Sequence, residues 1–152
     1  MVITKSIVHL STKEFVNKET MTKVKQKNRP TDSELEILNI LWKQGACSVR
    51  EVHDILGKSK PSGYTTTLKL MQIMLEKGLV KREAAGKMHI YRAALKQKDT
   101  QGQLVQKMID TVFNGSASQL VLQALGHQKS SPEELAEIRA YLKKMEKEQN
   151  AR

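Results

Sequence analysis

Between residues 63 and 72 the chain reads "GYTTTLKLMQ", where hydroxyl, ammonium and amide groups recur at helical spacing. Threonine is a poor helix former because its branched Cβ crowds the preceding turn. Three in a row at a helix start therefore need a reason. With Leu68, Met71, Met74 and Leu75 as the core-facing stripe, Thr65, Thr66, Lys69 and Gln72 gather on the opposite face. Ile73 lies on its flank and Thr67 at the edge of the packed stripe. Such a face suits duplex DNA. A threonine hydroxyl bonds phosphate or base edges, its methyl meets a thymine methyl, and lysine or glutamine one turn later reaches a phosphate or a base. The helix start adds backbone N–H donors for phosphate. The plain alternative is a solvated polar surface.

Other chemistry is poorly supplied. His9, His53, His89 and His127 are scattered without an i, i+4 pair, and no cysteine stands near them, so no metal site is expected. The single cysteine, Cys47, excludes an internal disulfide and reads as a buried, inert thiol beside hydrophobic residues. There is no glycine-rich phosphate loop and no nucleophile elbow. Glu133 and Glu134 sit in a helix's first turn, where the macrodipole accounts for them. Neither an enzymatic activity nor a cofactor is expected.

The elements that must carry the threonine face follow from capping and period. "TDSE" at 31–34 is a capping box ahead of Leu35, Leu38, Leu41 and Trp42, with Gly45 as the stop. "SVRE" at 48–51 is a second box, followed by Val49, Val52, Ile55 and Leu56 before Gly57. "KSKPSG" is a turn into the third helix, which runs towards Gly78. The period then changes to alternation in "LVKRE" and "KMHIYR", separated by "AAG", which reads as a hairpin turning at Gly86. Lys81, Arg82, Lys87 and Arg92 decorate it. Three short helices and a basic hairpin outline a winged helix-turn-helix.

From residue 97 the pattern is helical again. Leu104, Val105, Met108, Ile109, Val112 and Phe113 precede "NGS"; Leu120, Val121, Leu122 and Leu125 precede Gly126. A third box, "SPEE" at 131–134, launches Leu135, Ile138, Leu142 and Met145. A unit of about 50 residues makes a marginal core alone, so pairing with a second copy is the economical solution. The fold expected is mainly α with a small β-hairpin wing. It divides into a flexible basic tail (1–29), a winged helix-turn-helix (30–96) and a three-helix dimerisation domain (97–148).

Charge follows the same division. The net charge is +10, yet residues 1–29 hold seven basic and two acidic side chains, residues 30–98 twelve and seven, and residues 99–152 seven and seven. The excess lies wholly in the first two thirds, as expected for a polyanion-binding part joined to a part with another job. No apolar run approaches the roughly 20 residues of a membrane span. The N-terminus lacks the apolar core and cleavage site of a secretory signal. A cytoplasmic protein without membrane insertion is expected.

The ordered series "PTDSELEILNILWKQGACSVREV", "YTTTLKLMQIMLEKGLVKRE" and "GKMHIYRA", with "NGSASQLVLQAL" and "SPEELAEIRAYL" behind it, closely resembles the BlaI/MecI penicillinase-repressor family, which includes the CopY-type copper repressors. The match covers about residues 30–145. The resemblance implies a transcriptional repressor: a homodimer whose winged helices bind an inverted-repeat operator in double-stranded DNA and whose C-terminal helices pair. By position, it makes Ser62, Tyr64, Thr65, Thr66 and Lys69 recognition-helix contacts and Arg50, Arg82 and Lys87 phosphate contacts; Gln72 joins them from the helix-face reading. The dimer would use Leu104, Met108, Val112, Phe113, Leu120, Leu122, Leu125, Leu135, Ile138 and Leu142.

Three departures stand out. Many relatives carry arginine at the position of Ile73. The copper branch needs a C-terminal cysteine pair, and no cysteine follows Cys47. In the β-lactam branch a membrane-bound sensor protease triggers cleavage at an Asn-Phe pair, and the aligned residues here are Gln123 and Ala124. The rival expectation is a winged-helix protein-interaction module whose basic excess serves solubility.

Overall fold

The computed structural model describes residues 29–152, so the tail expected over residues 1–29 lies outside the described residues apart from Arg29. The order is α1 (Asp32–Gln44), β1 (Cys47–Ser48), α2 (Val49–Gly57), α3 (Tyr64–Glu76), β2 (Val80–Ala85), β3 (Met88–Ala93), α4 (Gln97–Thr111), α5 (Ala117–His127) and α6 (Pro132–Asn150). This is a mainly helical chain with a small sheet, a winged helix-turn-helix followed by three further helices. Two compact units meet in sequence between Thr100 and Gln101.

In the first unit the helix starts follow their boxes. Glu34 N–H donates to Thr31 Oγ1 at 3.3 Å, and Thr31 N–H donates back to Glu34 Oε2 at 2.8 Å. At α2, Ser48 and Glu51 repeat the exchange. Glu51's carboxyl is held below its usual range by the Ser48 N–H first and the Ser48 hydroxyl second. α1 ends at Gly45, whose φ of 84° only glycine adopts without strain.

The core joins Ile37, Leu38 and Leu41 of α1, Val52 of α2, Met71 and Met74 of α3, and Leu79, Val80 and Tyr91 around the hairpin. Each such side chain contributes roughly 1.5–3 kcal/mol on leaving water. Ile37, fully buried, falls outside the expected stripe, while Leu35 and Trp42 are only half-buried. Trp42 Nε1 donates to Leu95 O at 2.8 Å, pinning the segment after β3 to α1. The nearly buried Glu34 carboxylate also accepts from Lys77 Nζ at 2.6 Å, tying the start of α1 to the end of α3.

Two residues form a strand that no alternation announces. Cys47 and Ser48 pair antiparallel with Tyr91 and Ile90, so the sheet order is β1-β3-β2. The hairpin turn is shorter than "AAG" suggests. Ala85 pairs with Met88, so β2 takes in Ala84 and Ala85 and leaves only Gly86 and Lys87 in the turn. Gly86 has φ 63° and Lys87 a negative φ, the pattern of a type II′ turn.

In the second unit, the turn after α4 runs through Asn114 (φ 49°) and Gly115 (φ 86°), whose N–H donates to Ile109 O at 2.9 Å. Ser116 caps α5, and Ser131 with Glu134 closes a box on α6. Gly126 does not end α5: its dihedrals stay helical and the helix continues through His127. No side chain from Gln101 to Arg152 is buried. Met108, Phe113, Leu120, Ala124 and His127 instead line an open groove of about 640 Å³.

Candidate nucleic-acid interface

α3 divides by face. Thr67, Met71 and Met74 are buried, with Leu68, Leu70 and Leu75 half-buried against the core. Thr65, Thr66, Lys69 and Gln72 are exposed. Thr67, expected at the edge of the packed stripe, lies wholly inside it at 2 % exposure. Ile73 is 38 % exposed, so an apolar side chain continues the Thr66–Lys69 row.

The start of α3 differs from its neighbours. Its N-cap is Gly63, and no side chain bonds the first-turn amides. Thr66 and Thr67 N–H turn back to Gly63 O at 3.1 and 3.3 Å. The first amides of a helix have no intrahelical acceptor and carry the positive end of the macrodipole. With no acid in this first turn, that end is open to an anion.

All nine residues assigned to this interface (Arg50, Ser62, Tyr64, Thr65, Thr66, Lys69, Gln72, Arg82 and Lys87) are exposed. Arg50 stands one turn before His53 on α2, and His53 touches Tyr64. Lys87 occupies the hairpin tip. Arg82 lies opposite the buried Tyr91 in register but is itself exposed. Lys81 lies opposite Arg92, a like-charge pair; Glu83 relieves it, taking Arg92 Nη2 at 3.2 Å. Arg50, Lys69, Arg82 and Lys87 form no ion pair among the described residues. Their charge stays available to a partner.

Cys47 is buried, with its Sγ 3.6 Å from Gly45 O. Burial first and the Glu51 charge second push its thiol up, which keeps it protonated and unreactive at neutral pH. Among the described residues no three His, Cys, Asp or Glu side chains gather as metal ligands. No described helix is long and apolar enough to cross a membrane.

Sequence reasoning missed the contact between the two helices of the motif. His53 Nδ1 lies 3.2 Å from Thr67 Oγ1, and its ring meets Tyr64 edge-on. No local pattern could have found it, because the two contacts lie eleven and fourteen residues away along the chain.

Over residues 30–144 the sequence matches the family described as penicillinase repressor. The chain belongs to that family. It is 23% identical over 108 residues to a penicillinase repressor of Bacillus licheniformis, spanning 71% of this chain and 84% of the relative. A Staphylococcus aureus penicillinase repressor is 22% identical over 115 residues, spanning 76% and 91%. Among solved structures, the DNA-binding domain of the repressor BlaI is similar at 22% identity and a TM-score of 0.43, covering 47% of this chain and 87% of that one.

Proposed function

We propose that this penicillinase-repressor family member is a DNA-binding transcriptional repressor that occupies an inverted-repeat operator as a homodimer. The first unit reads DNA and the second pairs two chains. The observation that carries the reading is the start of α3: an uncapped first turn, free of acids, with Thr65, Thr66 and Lys69 exposed behind it. Arg50, Arg82 and Lys87 supply phosphate contacts, which capture and orient the duplex, while the threonines read base edges.

Support for pairing comes from the second unit alone. Val112, just past α4, and Leu122, Tyr141 and Leu142, on α5 and α6, are each more than half exposed, and α5 and α6 have no buried residue of their own. A monomer does not keep such apolar faces wet without a use for them. Of the residues assigned to pairing, Leu104, Phe113, Leu120, Leu125, Leu135 and Ile138 are half-buried, and Met108, Val112, Leu122 and Leu142 exposed. Gln123 and Ala124 are exposed but lie within α5. A protease that reads extended backbone therefore needs α5 to open before it can cut there, and release by a sensor protease requires that step.

Binding to a duplex selected from a random-sequence pool, and to a scrambled duplex, measured across salt, tests the reading. A repressor shows tight, salt-dependent binding to the selected duplex and weaker binding to the scrambled one. A protein-interaction module shows no salt-dependent retention of either.

A further inference from the structure

Tyr64 and Thr67 bracket the Thr65–Thr66 pair, and one side chain touches both. From α2, His53 sets Nδ1 3.2 Å from Thr67 Oγ1. Its ring stands edge-on to that of Tyr64, with centroids 5.6 Å apart and planes at 80°. Thr67 is 2 % exposed, and no partner for its hydroxyl other than His53 is found among the described side chains. Tyr64 is 47 % exposed, so the histidine holds one buried and one surface residue of the same helical turn.

The need for such a hold follows from the missing cap. α1, α2, α5 and α6 each begin with a hydroxyl side chain that fixes the first turn: Thr31, Ser48, Ser116 and Ser131. α3 begins with Gly63 and has none. A capping side chain there would occupy the amides that a phosphate would take. Holding the turn from the neighbouring helix leaves the Tyr64 and Thr65 N–H groups without a partner among the described residues.

We propose that His53 is a positioning residue of the interface: through Thr67 and Tyr64 it sets the rotation of the first turn of α3, and so the aim of Thr65 and Thr66 at base edges. The inference rests on the DNA-reading role proposed above. The geometry makes the effect selective. A helix rotation of about 10° moves a side-chain tip about 5–6 Å from the axis by about 1 Å. That exceeds the roughly 0.5 Å window of a good hydrogen bond to a base. Long, flexible cations on phosphates follow such a movement without loss. His53 therefore governs discrimination between sequences and leaves general affinity for DNA alone.

The test uses the full chain, the tightest duplex that the wild-type chain selects from a random pool, and a scrambled duplex of equal composition. His53→Ala is expected to narrow the selected-to-scrambled affinity ratio about five- to twentyfold, with scrambled-duplex affinity and salt slope unchanged. His53→Asn places an amide atom at the same bond distance from Cβ as Nδ1, and is expected to restore at least half of the lost discrimination on a logarithmic scale. Thermal unfolding of the same samples reports any loss of folded chain. An unchanged ratio, an equal loss on both duplexes, or no rescue by His53→Asn overturns the proposal. A wild-type chain without preference between the duplexes overturns the DNA-reading role, and this inference with it.

Discussion

In the interface proposed above, Thr66 and Lys87 represent the two kinds of contact that DNA reading needs, and they separate by experiment. Thr66 is exposed on the helix row that continues through Lys69 and Ile73. Thr66→Ala is expected to weaken binding to the selected duplex by about 1–2 kcal/mol, with little change on scrambled DNA. Equal losses on both would remove Thr66 from base reading. Lys87 sits in a two-residue turn and forms no ion pair among the described residues. Lys87→Ala should weaken binding to every duplex and lower the salt slope by about one unit. A slope that stays put would take the wing tip off the DNA. At this scale the exposed cations and threonines could be read in the sequence, because a helical period and a hairpin fix which way they point. The depth of Thr67 could not, since it depends on His53 reaching across from another helix.

Among the elements, helix starts were the most legible and sheet pairing the least. Thr31, Ser48 and Ser131 each stand three residues before a glutamate, and all three boxes form, because both halves of the motif are local. β1 escaped notice because two residues carry no period; its pairing is decided by Tyr91 and Ile90, some forty residues on. The link between Glu34 and Lys77 is likewise non-local, and it bears on α3 by anchoring its far end. Lys77 is 22 % exposed and Glu34 3 %. Lys77→Ala is thus expected to destabilise the first unit by about 1–3 kcal/mol, less than the 3–5 kcal/mol of a fully buried broken pair. Urea unfolding measures it. A midpoint equal to wild type would show that Thr31 N–H alone satisfies the carboxylate.

For the whole molecule, the decisive contrast is between a first unit with a closed core and a second with none. That contrast was legible in the sequence as a shortage of residues to bury three apolar stripes. The particular faces left open were not, because they depend on how α4 and α5 turn about Asn114 and Gly115 and how α6 follows them. Leu122 is 70 % exposed. Leu122→Lys should leave the chain folded yet shift it from dimer to monomer, as sedimentation would report; an unchanged mass would move the pairing surface elsewhere. Under the pairing proposed above, the open second unit also sets how the repressor responds to its own abundance. While chains are scarce enough to be mostly single, the paired form grows as the square of their number. Halving the copy number then cuts operator occupancy by up to about fourfold, in place of twofold. A small drop in synthesis or a modest rise in turnover would therefore lift repression more steeply than a one-chain repressor allows, with no inducer needed at the DNA.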